Sequence, residues 1–214
     1  MYSLHFFFKQ DMFAAGTDTT FVTLEWAMTE LIRNPEVMER VQEDVRTVVR
    51  CSQKISDRDV DKMIYLKAVI KETLRLHAPV PLLVSREAMN DTKLDGFHIP
   101  RGTRVMVNAW AIGRDPASWD KPEEFCPDRF ISSNVDFKGQ DFHFIPFGAG
   151  RRSCPGTSFG ISTVELTLAH LLHHFDWQLP RGMEGELLDM SEAPGLTVHK
   201  KSGLVLIAKP VLFN

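Results

Sequence analysis

The first part of the chain repeats its hydrophobic positions with the period of an α-helix. Residues 11–33 contain no proline and end at Asn34-Pro35, a pair that stops helices. Four valines then share one face of a second predicted helix: Val37, Val41, Val45 and Val48. A third helix is predicted from a cap at Ser56-Asp57 to a stop at Ala78-Pro79.

The middle of the chain changes to the alternating pattern of β-strands. The segment TKLDGFHIPRGTRVMVNAW, residues 92–110, alternates around Asp95-Gly96, and an Asp-Gly pair is the strongest short hairpin signal. Residues 113–145 then form a long connection rich in proline, aspartate and aromatic residues. Connections of this length are usually functional or wrapped tightly on the core.

The last part of the chain predicts one more helix and a second hairpin. The helix follows residue 156, and four residues mark its buried stripe: Val164, Leu168, Leu171 and Phe175. The tail LTVHKKSGLVLIAKP, residues 196–210, predicts the hairpin. We therefore expect an α+β fold that is mostly helical, with small antiparallel sheets. The length allows one large core or two small domains.

Composition and charge narrow the function classes. The 214 residues include 25 Lys plus Arg against 28 Asp plus Glu, a net charge of −3, which gives no support for nucleic acid as a partner. The cysteines Cys51, Cys126 and Cys154 lie far apart without a Cys-x-x-Cys spacing, so we expect neither disulfides nor a zinc ribbon, and a reducing compartment. The apolar patch at the start is far shorter than the ~20 residues of a membrane span, so the chain as written is expected to be soluble or peripheral.

The segment PFGAGRRSCPG, residues 146–156, sets a cysteine among three glycines and two arginines. A glycine-rich backbone can wrap closely around a bound group. The charges of Arg151 and Arg152 favour the thiolate form of Cys154, and Pro155 suits the first turn of the helix that follows. The loop is therefore expected to hold an anionic sulfur beside an anionic partner.

The stretch AAGTDTT, residues 14–20, is unusual for a helix interior. A glycine such as Gly16 costs about 1 kcal/mol there relative to alanine. Asp18 and Thr19 belong to residue types that compete with helical hydrogen bonds. A helix opened at this point, with an acid and a hydroxyl, would admit dioxygen and relay protons to it.

Taken together, these motifs resemble those of the cytochrome P450 family. The cysteine loop matches F-x-x-G-x-R-x-C-x-G, and AGTDTT is similar to the oxygen-binding helix of that family. Phrases such as NAWAIGRDP and DFHFIPFGAGRR look most like the plant microsomal class. The resemblance implies the C-terminal part of the cytochrome P450 fold, as a single incomplete domain over residues 1–214, with haem (iron protoporphyrin IX) as the cofactor.

The resemblance also assigns roles to single residues. Cys154 would be the axial iron ligand, whose thiolate donates electron density that favours O–O cleavage. Asp18 and Thr19 would deliver protons, with Ala15 and Gly16 facing the haem. The remaining cofactor contacts would come from Arg152 and Arg86 on the propionates and from three loop residues: Phe147, Gly148 and Gly156.

A structural charge triad is implied as well. Glu72-x-x-Arg75 alone is a commonplace helix pair, but Pro127-Asp128-Arg129-Phe130 follows at the family's spacing as P-x-R-F. Arg129 would then join Glu72 and Arg75 in a buried triad with a structural role.

The substrate pocket would be lined by six residues: Val80, Leu82, Leu83, Val84, Leu196 and Thr197. His170 and His174, at i,i+4, have metal-ligand spacing but no third ligand, so solvated histidines are favoured over a zinc site.

The implied activity is that of a haem-dependent monooxygenase of plant secondary metabolism. It would insert one atom of O2 into a small lipophilic substrate, with electrons from NADPH through a flavoprotein reductase at the cytosolic face of the endoplasmic reticulum. The resemblance covers only the C-terminal part of a usual member, without the membrane anchor. The alternative is therefore a truncated, inactive product that binds haem weakly or not at all. A haem protein that rearranges peroxides is disfavoured by the Asp18-Thr19 pair.

Overall fold

Four long helices form the core of the protein. The computed structural model describes residues 2–50 and 54–213. Its long helices are α1 (Tyr2–Arg33), α2 (Pro35–Val49), α4 (Ile64–Leu76) and α6 (Thr157–His174), with a short α3 (Asp57–Val60) and a short α5 (Ala109–Ile112) between them. The four long helices pack against one another around buried aliphatic side chains. Cys51 lies outside the described residues.

The helix boundaries follow from local chemistry. Asn34-Pro35 separates α1 from α2, since proline is well suited to the first turn of a helix. The predicted cap at Ser56 is confirmed, because Ser56 and Asp59 form a reciprocal capping box. The third predicted helix is interrupted, however, as α3 ends at Val60 and α4 begins at Ile64. Buried Met63 lies in that break and joins the core.

Three small antiparallel sheets lie outside the helical core. Strand β1 (Arg86–Glu87) pairs with β4 (Arg104–Val105), and β2 (Thr92–Leu94) pairs with β3 (Phe97–Ile99). The predicted Asp-Gly turn joins β2 to β3, with φ of 50° at Asp95 and 82° at Gly96. Both values suit the tight turn of a two-residue hairpin. The mostly helical α+β prediction is confirmed.

The predicted tail hairpin is wrong in its pairing. Strand β6 (Ile207–Pro210) pairs with β5 (Phe175–Gln178), which directly follows α6. The segment before β6 instead bends back on residues 191–193 through a bridge between Glu192 and Lys200. The partner of β6 is distant in sequence, so no local pattern could reveal this register.

Two details near α6 also differ from the prediction. Phe175 begins β5 rather than extending the helical stripe, and the fully buried position is Leu172, whereas Leu171 is half-buried. The long connection over residues 113–145 contains only one short 3-10 helix, Pro127–Phe130, and it packs against α4. Within residues 2–50 and 54–213, none of the helices has the length and apolar character that a membrane span requires.

Candidate functional site

Glycines and one backbone hydrogen bond shape the cysteine loop. Gly148 and Gly150 have φ of 71° and 72°, in the left-handed region that favours glycine. The amide of Cys154 donates to the carbonyl of Phe147 at 2.9 Å and closes the loop on itself. The backbone around the cysteine is therefore held in a conformation that other residue types would strain.

The thiol of Cys154 lies at the surface next to the start of α6. It is free and exposed, and a Cβ added at Gly156 would lie 3.8 Å from the sulfur. The helix begins at Thr157, so the prediction that Pro155 occupies its first turn is wrong by two residues. Thr157, the first residue of α6, donates its hydroxyl to the Cys154 carbonyl at 2.9 Å. This bond links the loop to the helix. The sulfur is thus open to a partner on its exposed side.

Three arginines lie at or beside this loop, and two of them, Arg151 and Arg152, are adjacent within it. Arg152 is exposed and belongs to a 3-10 turn, Gly150–Arg152. Arg86, on β1, reaches the loop and donates to the Ala149 carbonyl at 3.5 Å. Leu83, three residues before Arg86, borders Gly148. The loop and its surroundings therefore combine one exposed thiol with three exposed arginines.

The AAGTDTT stretch is an uninterrupted α-helix, so the predicted opening of α1 is wrong. The hydroxyl of Thr19 donates to the Ala15 carbonyl at 2.7 Å, and that of Thr20 donates to the Gly16 carbonyl at 2.6 Å. The threonine hydroxyls are therefore hydrogen-bonded within the helix, and the backbone hydrogen bonds of the helix stay intact. A Cβ added at Gly16 would meet nothing within 4 Å, and Ala15 is exposed, so this face of α1 lies open.

The structure brings Asp18 together with a residue of the distant tail. The hydroxyl of Thr197 donates to Oδ2 of Asp18 at 2.5 Å, across 179 positions of sequence. Of the six expected pocket residues, four lie on the segment that follows α4, namely Val80, Leu82, Leu83 and Val84, and Leu83 borders the cysteine loop at Gly148. Thr197 lies on the tail against α1, while the side chains of Leu82, Val84 and Leu196 are exposed. The segment and the tail also meet, since the Val198 amide donates to the Pro79 carbonyl at 2.9 Å.

Glu72, Arg75 and Arg129 form a compact charge cluster. Arg75 donates to both oxygens of Glu72, at 2.7 and 2.8 Å, and Arg129 Nε donates to Glu72 Oε1 at 3.0 Å. The amide of Cys126 donates to the same oxygen at 2.8 Å. The side chains of Glu72 and Arg75 are fully buried and that of Arg129 is 12% exposed.

The cluster also ties the long connection to α4. Arg75 donates to the carbonyls of Gly113, Pro122 and Glu124 at 2.6 to 3.0 Å. Arg129 donates to the Asp120 carbonyl at 2.8 Å. Guanidinium groups thus satisfy backbone carbonyls that the irregular connection leaves without a strand or helix partner.

His170 and His174 stack on each other with ring centroids 5.5 Å apart. Both are half-buried rather than solvated as expected, and burial, followed by the charge of His174, lowers the pKa of His170. Among the described residues, no group of three or more His, Cys, Asp or Glu side chains is placed to hold a metal ion.

Sequence reasoning missed a buried polar group beside the tail. Glu30 Oε1 and His77 Nε2 lie 2.7 Å apart, and the His77 ring stacks on Trp26 with centroids 4.0 Å apart. The indole of Trp26 donates to the Val198 carbonyl at 3.2 Å. The available signal was a glutamate four residues after Trp26 in a helix segment that is otherwise buried.

Comparisons with known proteins agree with these features. The model of the family "Cytochrome P450" matches residues 9–207. Cytochrome P450 71A1 of Persea americana is 60% identical over 93% of this chain and 40% of that protein. Costunolide synthase of Tanacetum parthenium is 53% identical over 94% of this chain and 40% of its own length. A zebra fish cytochrome P450 structure with abiraterone superposes with a TM-score of 0.84 at 34% identity, over 94% of this chain and 46% of that one. The chain thus spans about 40% of the length of these curated relatives.

Proposed function

The chain belongs to the cytochrome P450 family, and from this premise we propose that it forms the haem-thiolate part of a monooxygenase. The reaction would place one atom of O2 in a small lipophilic substrate and release the other as water, using two electrons and two protons. The observation that carries this proposal is the free, exposed Cys154 thiol in a loop that is shaped by two glycines in the left-handed region.

The residues present fit a haem, which is the cofactor of this family. A single sulfur, together with the exposed Arg152 and Arg86, suits an iron macrocycle that carries two carboxylates. Gly156 keeps one side of the sulfur free of a side chain, because a Cβ added there would be in van der Waals contact with it at 3.8 Å. A macrocycle could therefore approach without displacing a side chain at that position.

The chain's own residues then divide the work. Cys154 would hold the iron, and the bound haem would supply the oxygen-activating chemistry of a thiolate-ligated iron. Arg152 and Arg86 would pair with the propionates, and Phe147, Gly148 and Gly156 would border the macrocycle. The N-terminus of α6, where helical amides carry partial positive charge, lies three residues after Cys154.

Residues of α1 would deliver protons from the haem face opposite Cys154. Thr19 donates its hydroxyl proton to the Ala15 carbonyl, so its oxygen is left to accept a hydrogen bond from water. Asp18, the preceding residue, would exchange protons with solvent. Ala15 and Gly16 would leave room for the haem face, because neither presents a side chain larger than a methyl group.

The remaining assignments rest on similarity to the plant relatives. We propose NADPH as the electron source through a flavoprotein reductase, and the cytosolic face of the endoplasmic reticulum as the place of action. Costunolide synthase is the name of one relative, and a small lipophilic substrate of plant secondary metabolism is consistent with the apolar segment of residues 80–84. Glu72, Arg75 and Arg129 are proposed to keep the long connection in place beneath the cysteine loop.

The carbon monoxide difference spectrum of the reduced, haem-loaded protein tests the proposal. We expect the strongly red-shifted Soret band of thiolate-ligated haem, and its loss in Cys154→Ser. The matched control is Cys126→Ser, at a half-buried cysteine whose contact with Glu72 is made by its backbone amide. A band that survives in Cys154→Ser, or no such band in the unmodified protein, would contradict the proposal.

A further inference from the structure

The tail presents a hydroxyl to the acid of α1. Thr197 Oγ1 lies 2.5 Å from Asp18 Oδ2, and a carboxylate can only accept, so the hydroxyl donates. Hydrogen bonds to an ionised acceptor are shorter and stronger than those between neutral groups. Oδ2 is the Asp18 oxygen engaged in the side-chain hydrogen bonds of the described residues, which leaves Oδ1 to another donor.

The turn that carries Thr197 is built into the fold. The next residue, Val198, is fixed from two sides, because its amide donates to the Pro79 carbonyl and its carbonyl accepts from the Trp26 indole. Trp26 is fully buried and stacks on His77. Thr197 is therefore held at a defined position above α1 and does not depend on the Asp18 contact to stay there.

A glycine makes the tightness of this turn possible. A Cβ added at Gly195 would stand only 2.6 Å from the carbonyl oxygen of Thr197. Such a contact with a backbone atom forces the turn to shift. The position of the Thr197 hydroxyl thus depends on the absence of a side chain two residues earlier.

The contact restricts a side chain that is otherwise free to rotate. The terminal torsion of an aspartate is broad and roughly two-fold, and Asp18 is exposed. A strong hydrogen bond to Oδ2 fixes the plane of the carboxylate and directs Oδ1. Proton transfer depends on such geometry, because donor and acceptor must come within hydrogen-bond reach.

We propose that Thr197 is a positioning residue that orients the Asp18 carboxylate for proton delivery. The proposal rests on the proposed monooxygenase function and goes beyond it, because the tail then contributes to the proton path and not only to the substrate pocket. If Thr197 only lined the substrate pocket, its methyl group would affect substrate binding, and removal of its hydroxyl would leave proton delivery unchanged.

The first test measures the contact directly and needs no turnover. In the protein labelled with ¹³C-aspartate, infrared difference spectra against Asp18→Asn identify the Asp18 carboxylate bands. We expect these bands to shift in Thr197→Val, which keeps the side-chain shape but lacks the donor, and to stay in place in Thr197→Ser. Identical bands in Thr197→Val and the unmodified protein would overturn the proposal.

The second test measures turnover in the haem-loaded enzyme with its reductase, with 7-ethoxycoumarin as the lipophilic probe. We expect Thr197→Val to lower the product formed per NADPH by about tenfold, with KM for the probe unchanged, because an acid that is poorly oriented loses part of its catalytic contribution. Thr197→Ser should restore most of the yield. A raised KM with an unchanged yield in Thr197→Val, and no rescue by serine, would show a pocket residue instead.

A third test moves the Thr197 hydroxyl without removing it, by substituting Gly195. Gly195→Ala should reproduce both effects of Thr197→Val, because the added methyl group displaces the turn. Gly203→Ala is the control, since a Cβ there meets nothing within 4 Å. If Gly195→Ala leaves both readouts unchanged, the proposal is refuted. Failure of the proposed function is recognised separately, as the absence of the carbon monoxide band in the unmodified protein.

Discussion

Replacing Glu72 by glutamine removes the negative charge that faces two arginines inside the protein. The substitution keeps the size and shape of the side chain but places an amide against the guanidinium groups of Arg75 and Arg129. Glu72 accepts hydrogen bonds from both arginines and from the Cys126 amide. Glutamine has a single acceptor oxygen, so it can satisfy only part of this set.

The size of the expected loss in stability follows from the burial of Glu72 and Arg75. Arg75 and Glu72 are fully shielded from water, so the stranded guanidinium charge cannot be solvated in place. Breaking a buried ion pair by removing one partner typically costs about 3–5 kcal/mol. That is a large part of the ~5–15 kcal/mol by which native proteins are stable. At a denaturant dependence of about 2–3 kcal/mol per M, the urea midpoint should fall by about 1–2.5 M.

Urea unfolding followed by circular dichroism measures this difference. The control is Asp128→Asn, which removes a carboxylate next to Arg129 in the 3-10 helix Pro127–Phe130. Asp128 pairs with Arg40 at 2.7 Å, but both side chains are about half exposed, so the loss should stay below about 1 kcal/mol. If Glu72→Gln unfolds at the same urea concentration as Asp128→Asn, the argument from burial is refuted.

Two further outcomes are expected. Gly113→Ala should destabilise the protein by about 1–3 kcal/mol in the same unfolding assay, because its Cβ would stand 2.5 Å from the Arg75 carbonyl oxygen; a stability equal to that of Gly203→Ala would contradict this. Burial and the charge of His174 lower the pKa of His170 from its ordinary 6.5. The folded state therefore binds the proton less well than the unfolded state, so the contribution of His170 to stability is complete above pH 6.5 and is lost as the pH falls below it. His170→Gln should flatten this part of the stability profile, and an unchanged slope would show that another group titrates there.

Local signals determined much of the fold from the sequence alone. The proline after Asn34, the cap at Ser56 and the turn at Asp95-Gly96 each act within a few residues, so their effects could be predicted without knowing the partners. The cysteine loop could also be predicted from the sequence, because the residue types that suit a thiolate ligand lie within eleven consecutive positions. The predicted pairing of the tail was wrong, because β6 pairs with β5, a strand that is distant in sequence and that no local pattern indicates.

The remaining features were decided by tertiary structure. The uninterrupted α1 shows that threonine hydroxyls can bond back to their own helix, and propensity alone does not tell which outcome is favoured. The buried charges around Glu72 are stable only because the long connection folds over them and supplies carbonyls to Arg75. The bond between Asp18 and Thr197 joins residues that are 179 positions apart. Such contacts depend on how the helices and the tail pack, since a side chain's neighbours across the core are set by the whole arrangement of elements and not by its neighbours in sequence.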